Sequence, residues 1–472
     1  MSGVTGGVSR GAAGRAGDGP ARGTALRADL RLARALVRGS DRREWWRLLL
    51  TATGAALLAL LALAALAVAG LRGQVNVPFA HGLLDRPGER RGVLAALLLL
   101  LVPVLALLGQ CARIGAEHRD RRLAALRLAG ASPRRVRRIA GLETGLACAA
   151  GSTTAAVFGV LFLLRAWQRP PAPVWAGAAL VAVAVPLLGA LVAVLVLRRV
   201  ITSPLGLVRR SRPRTGRGPA LVCAGSAAVL SAAALGLVTA GARHGAVWTA
   251  LLVGAAVVSA GAGAVALSGV TARLVGRWTA GRTGDPAVLI AAGRLRADPW
   301  AAARAHGAVL LVTVVATGFV GVRRVLLDGL SGGDTGPGAG NASFYEAGLD
   351  LTVLALSAAL LLALTALAVH TAESPAARRR TAVAQVAAGV PRGVLVRALL
   401  LETALPLAPG LALAGAGGLA VGAGYAALTG GGDVPWEALA VPVLVWGACL
   451  GASVTAVPAL GRGTRPGALR HE

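Results

Sequence analysis

Lysine is absent from this chain of 472 residues: all 49 basic positions are arginine. A phosphate-cradling P-loop needs a lysine on the β- and γ-phosphates. The chain therefore has no such device, and any ATP dependence must come from a partner. Acidic residues are scarce as well, 20 against the 49 arginines, which leaves a net charge of +29. So strong a basic balance invites a nucleic-acid reading, but aromatics make up only 3% of the chain. Bases need stacking platforms beside the positive charge, so nucleic acid is excluded as a partner. The four cysteines, Cys111, Cys148, Cys223 and Cys449, lie in or beside apolar runs with no metal-ligand spacing between any pair. They read as small core residues, with neither a disulfide framework nor a metal site implied. Charged residues total 15%, against about a quarter in soluble domains. A soluble enzyme is thereby excluded.

What the chain has in abundance is Leu, Ala, Val and Gly, in long uninterrupted runs, with 56% of positions hydrophobic. A helix crosses the hydrocarbon core with about 20 apolar residues. Ten segments meet that length: 48–71, 92–114, 142–165, 174–198, 219–242, 246–271, 305–327, 349–370, 402–428 and 434–460. The expected fold is an all-α polytopic membrane protein with ten transmembrane helices. The first segment is too long, and too far along the chain, for a cleaved signal peptide. Residues 1–24, rich in Gly, Ala, Ser and Arg, read as a disordered cytoplasmic tail. With the N-terminus inside, the inner segments hold 40 arginines and the outer ones 9, with the same bias at every loop pair. The positive-inside rule then sets both termini in the cytoplasm. Trp45, Trp46, Trp167, Trp175, Trp248 and Trp436 fall near span ends, where interfacial aromatics belong.

An internal repeat underlies the ten spans. The segment RRLAALRLAGASPRRVRRIAGLET, Arg121 to Thr144, is matched by RTAVAQVAAGVPRGVLVRALLLET, Arg380 to Thr403. The offset is 259, and 8 of 24 positions are identical, among them Gly130/Gly389, Arg138/Arg397 and Glu143/Glu402. Adding 259 to the first four spans lands close to the last four, and carries Leu36 onto Leu295. Six spans separate equivalent helices, so the two copies share one orientation, as parallel repeats do. The domain reading is a first four-helix unit at 25–198, a cytoplasmic linker at 199–218 and a two-helix hairpin at 219–271. A second four-helix unit at 272–460 and a cytoplasmic tail at 461–472 complete it. Abundant small residues, as in Gly415 to Gly424, let the helices approach closely.

Between its second and third spans each copy carries a basic helical stretch, a glycine and a further helix, with a glutamate thirteen residues after the glycine. Leu123, Leu126 and Leu128 beside Arg122 and Arg127 give the stretch a partly amphipathic surface. Gly130 can take the left-handed conformation that ends a helix, and Ser132-Pro133 can start the next. Gly389 and Pro391 do the same in the second copy. Positive-inside charge explains the arginines but not the twofold occurrence of this arrangement. Glu143 and Glu402, at the start of the third and ninth spans, suit the positive end of a helix and can pair with nearby arginines.

At LRLAGASPRRVRRIAGLE, and more loosely at AQVAAGVPRGVLVRALLLE, the sequence resembles the FtsX-like permease family of ABC transporters. The resemblance covers both four-helix units. It implies that this segment couples to a separate cytoplasmic ABC ATP-binding subunit, through Arg121, Arg127, Gly130, Arg134, Arg135 and Glu143. In the second copy the corresponding residues are Arg380, Gly389, Arg392 and Glu402. Two units of this kind give a pseudo-dimer within one chain, or a dimer of two. The family often has a glutamate just before this stretch, where the chain has Arg122 and Thr381.

The function implied is that of a non-catalytic permease subunit in the plasma membrane, without cofactor, exporting a membrane-embedded or amphipathic substrate. The alternative is an ATPase-coupled signalling protein that carries nothing across. Members that extract lipoproteins usually have a large outer domain, whereas the outer segments here span only residues 72–91 and 328–348. Leu330-Ser331-Gly332-Gly333 imitates an ABC ATPase signature, yet lies in an outer segment of a chain without lysine. Asn341-Ala342-Ser343 is a glycosylation sequon by pattern alone. The six histidines include no i, i+4 pair, and His306 and His370 fall at the cytoplasmic boundary.

Overall fold

The computed structural model describes residues 27–35, 42–71, 84, 87–111, 122, 125–166, 172–201, 221–226, 228–230, 232, 246–279, 281–331, 342–377, 384–429 and 433–455. The expected tails, nearly all of the linker, most of the span at 219–242 and the middles of the two longer outer segments lie outside them. So do Leu36, Arg121, Trp167, Arg380 and Thr381.

Every element among the described residues is helical. We number them α1 (27–35), α2 (Arg42–Gly70), α3 (Pro87–Cys111), α4 (Pro133–Ala166), α5 (Ala172–Ile201), α6 (Ala246–Thr279) and α7 (Pro286–Ala297). There follow α8 (Pro299–Ser331), α9 (Ala342–Ala377), α10 (Arg392–Thr429) and α11 (Ala440–Val454), the last entered through a 3-10 turn at Trp436–Leu439. Nine of the described helices are long and apolar enough to cross a membrane: all of these except α1 and α7. The remaining expected span contributes a short apolar helix, Leu221–Leu230, in its described part. The chain is a multi-pass membrane protein.

Lipid offers no hydrogen-bond partners, so a spanning segment must satisfy its own backbone, and a helix does. Leu and Ala, which dominate these runs, also rank among the best helix formers. Pro103, Pro186, Pro406 and Pro409 sit inside α3, α5 and α10. Prolines are tolerated there because neighbouring helices and hydroxyls take up the freed carbonyls. Trp45, Trp46, Trp175 and Trp436 are exposed near helix ends.

The helices pack by the same pairings in the two halves. In the first, α2 packs on α3, α4 and α5, with further contacts of α4 and α3 to α5. In the second, α8 packs on α9, α10 and α11, with further contacts of α10 and α9 to α11. The halves meet where α3 touches α8 and α9, and α2 touches α9. Helix α6 lies against α8, α10 and α7. One buried apolar cluster runs through both halves, including Leu107 and Leu108 of α3, Val309 and Leu310 of α8, and Leu367 of α9.

Helices in lipid gain little from the hydrophobic effect, so contact must come from close fit and small residues. Helix α8 on α10 is one such case. A methyl group added at Gly418 would come within 2.7 Å of the Val314 carbonyl oxygen and 2.5 Å of Thr317 Cβ. Buried hydroxyls turn back on their own helices: Thr51 to the Arg47 carbonyl, Thr313 to that of Val309, and the repeat-equivalent Thr144 and Thr403 to those of Ala140 and Leu399. Such bonds keep polar side chains satisfied where no water reaches.

Candidate coupling site

The repeated segment ends a helical turn in the same way twice. Gly130 has φ +90° and Gly389 has φ +87°, and these are the positive-φ glycines among the described residues. The Gly130 N–H donates to the Arg127 carbonyl at 3.0 Å, and the Ala131 N–H to that of Leu126 at 3.0 Å. The Gly389 N–H donates to the Val386 carbonyl and the Val390 N–H to that of Gln385, both at 3.0 Å. This is the Schellman arrangement, in which a left-handed residue closes the helix end and satisfies its last carbonyls. Both bonds of the first copy recur in the second at the offset of 259. Only glycine enters this conformation without strain, and a Cβ at either position would meet nothing within 4 Å. Backbone conformation, rather than space, accounts for glycine here.

The next helix starts at Pro133 and at Arg392, again 259 apart. Ser132 caps the first, its Oγ accepting from the Arg135 N–H at 3.3 Å. The sequence suggested a separate basic helix before the third span. Instead, α4 runs unbroken from Pro133 to Ala166, and α10 from Arg392 to Thr429. Hydropathy marks where lipid begins, not where the helix begins, and arginine is a good helix former.

Glu143 is buried in the interior face of α4. It accepts from Arg47 of α2 and, at 3.0 Å, from Arg122. Arg122 also reaches Glu44 at 3.2 Å. Two arginines and two carboxylates thus join the foot of α2, the start of the repeated segment and α4. A buried carboxylate needs such compensation to remain charged. Glu402, its equivalent, is less buried and is held by Arg294 of α7 at 3.3 Å. Adding 259 to Arg47 gives His306, which is buried in α8. The second copy therefore recruits its arginine from a different helix.

A second set of ion pairs fastens the helix that precedes each half. Asp29 of α1, buried, takes Arg135 at 2.9 Å and also Arg138. Asp285, at the N-cap of α7, takes Arg397 at 3.3 Å while accepting from the Ala287 N–H at 2.8 Å. Arg138 and Arg397 are repeat equivalents, but the aspartates are not aligned by the offset. The contact is the same and its acidic residue has moved along the chain.

Of the residues expected to couple, Arg127, Gly130, Arg134 and Arg135 lie at one break and Gly389 and Arg392 at the other, while Glu143 and Glu402 lie about 15 Å along α4 and α10. Arg121 and Arg380 lie outside the described residues. Arg134 and Arg392 are exposed and make no ion pair among the described residues. Arg127 is half-buried and engaged. Sequence reasoning missed Asp29, Glu44, Arg47, Asp285 and Arg294, and read Arg122 as part of an amphipathic surface and a departure from a pattern, not as a partner of Glu143. A charged residue inside the edge of an apolar run, as Arg47 is, was the available signal. No group of three or more metal-ligating side chains occurs among the described residues. The site offers two basic, rigidly terminated helix breaks at one end of the bundle, each pinned to its own preceding helix.

A search of curated proteins returns no match. Residues 93–205 match a family model described as FtsX-like permease C-terminal. The matched stretch takes in most of α3, the break at Gly130, α4 and α5. Over that stretch the chain is similar to an FtsX-like permease domain, and the first of its two repeated segments lies within the match.

Proposed function

We propose that this chain is the transmembrane subunit of an ABC exporter in the plasma membrane, driven by a separate cytoplasmic ATP-binding subunit. Its ten spans form two parallel four-helix units, 25–198 and 272–460, joined by the hairpin 219–271, with both termini in the cytoplasm. The observation that carries the reading is the duplicated Schellman break with an exposed arginine that makes no ion pair among the described residues, Arg134 in one copy and Arg392 in the other. Two such breaks fit a partner that is itself two-fold, and their positive charge suits acidic grooves on it. Closure of the ATPase pair would push on Gly130 and Gly389, and α4 and α10 would carry that push across the membrane. The substrate class is membrane-embedded or amphipathic, in keeping with short outer segments and a bundle whose outer faces are apolar.

Co-purification at native expression tests the partner. A stable complex with an ATP-binding protein is expected, lost in Arg134→Ala/Arg135→Ala and in Gly130→Val. Recovery of no ATPase would overturn the reading. Flux in vesicles containing both subunits tests transport: ATP-dependent movement supports an exporter, and a coupled complex without flux turns the reading to signalling.

A further inference from the structure

A cavity of about 410 Å³ opens between α8, α9 and α11 at the end of the bundle away from the coupling segments. One stripe of α8 builds its wall, Val312, Ala316, Phe319, Val320, Arg323 and Leu327, at the three- and four-residue spacing of one helix face. Leu356 and Leu360 of α9 and Val445 of α11 close the depth, which is apolar. The mouth is charged, with Arg323, Arg324, Asp328 and Glu437.

These four groups are not equivalent. Arg324 is exposed and already divided between Asp328 at 2.9 Å and Glu437 at 3.2 Å. Exposed pairs of this kind are solvated and worth little. Arg323 is half-buried and makes no hydrogen bond or ion pair among the described residues, where its Nε is shut away from solvent without an acceptor. A buried guanidinium donor left without an acceptor is costly. An ionisable residue within a membrane-spanning helix, Pro299–Gly329 here, marks a functional position unless it merely snorkels to the interface. Arg323 is not wholly out in water, because its Nε is buried.

We propose that this cavity binds an anionic amphiphile, its phosphate or carboxylate head on Arg323 and its apolar chain along Phe319, Leu356 and Leu360. The head pairs with the Arg323 guanidinium at the mouth in a charge-assisted bond, a pairing that this half-buried cation lacks among the described residues. Ser357, which also lines the cavity, offers the head a hydroxyl. The use of the site in transport rests on the permease reading above. The binding itself does not.

The test uses the full chain purified in dodecyl maltoside, with dodecyl phosphate and dioleoyl phosphatidylglycerol as probes and native mass spectrometry as the readout. Both probes should be retained, at least about tenfold better than dodecyltrimethylammonium or dioleoyl phosphatidylcholine. Arg323→Gln should lose about tenfold in affinity, while Arg304→Gln, near the other end of α8, stays within about twofold. Leu356→Trp and Leu360→Trp fill the cavity and keep Arg323, so either should also lose retention; two fillers guard against one that misfolds. Retention of phosphatidylglycerol alone identifies a bilayer lipid as the source, and competition by dodecyl phosphate a free amphiphile. Equal retention of cationic and anionic probes would overturn the proposal, as would fillers that bind like the native chain. Binding with no ATP-driven flux leaves the site standing and removes only the exporter reading.

Discussion

Arg47 and Glu143 form a buried ion pair across 96 positions of sequence, joining the foot of α2 to the interior face of α4. Removing one partner strands the other charge, which costs roughly 3–5 kcal/mol at a buried pair. Glu143→Ala and Arg47→Ala should each lower the thermal midpoint of the detergent-solubilised chain sharply. The double change Arg47→Met/Glu143→Leu should recover most of the loss, because an apolar pair of similar size carries no desolvation penalty. Additive losses in the double variant would refute a coupled pair.

At Gly130 three substitutions rank by backbone cost alone, since a side chain there meets open space. Asn tolerates the left-handed region, Ala costs about 1 kcal/mol, and a β-branched residue costs more. ATPase stimulation in the assembled complex should fall in the order Gly130→Asn, Gly130→Ala, Gly130→Val, and identically at Gly389. An order following side-chain size instead, with Asn worse than Ala, would point to a steric contact with the partner.

Asp29 and Asp285 make equivalent contacts in unlike surroundings. Asp29 is buried against two arginines, whereas Arg397 beside Asp285 is 68% exposed. Asp29→Asn should destabilise by about 1.5–3 kcal/mol, the range for bonds to a charged group, and should speed tryptic cleavage within α1. Asp285→Asn keeps the helix cap and should cost about 0–1 kcal/mol. Equal effects at the two sites would contradict this difference in burial.

Gly418 has no room for a side chain between α10 and α8. Gly418→Leu should abolish recovery of folded protein. Gly447→Leu, on a face of α11 with nothing within 4 Å, should express and unfold like the native chain. Yield and thermal midpoint of the two variants, measured side by side, check the contrast.

The spans were legible because lipid imposes length and composition on each segment locally, as the run Leu94 to Leu108 illustrates. The breaks were legible because Gly130 and Gly389 need a conformation that other residues avoid, so the residue type announces the geometry. Partners were not legible. Nothing near Glu143 in sequence says that Arg47 will reach it, and nothing near Arg397 says that its aspartate lies at 285 when the repeat points elsewhere. The offset of 259 equates residues, but packing chooses contacts, and His306 standing where the first copy has Arg47 shows the two diverging. The unbroken course of α4 was hidden for a related reason: its basic start and apolar body look like two elements to hydropathy and are one to the backbone.

That continuity has a mechanical side. Glu143, pinned by Arg47 and Arg122, lies about 15 Å from the basic end of α4 and about 35 Å from its far end at the helical rise. The ion pairs form a fulcrum, and α4 is a lever whose long arm is more than twice its short one. A displacement of the short arm by a few ångströms would return roughly double at the opposite face of the membrane. In the other half, α10 carries Pro406 and Pro409 directly beyond Glu402, at the root of its long arm. Proline removes a backbone hydrogen bond and softens a helix where it sits. The long arm of α4 has no proline and that of α10 has two, so an equal push on the two halves would open the bundle unevenly.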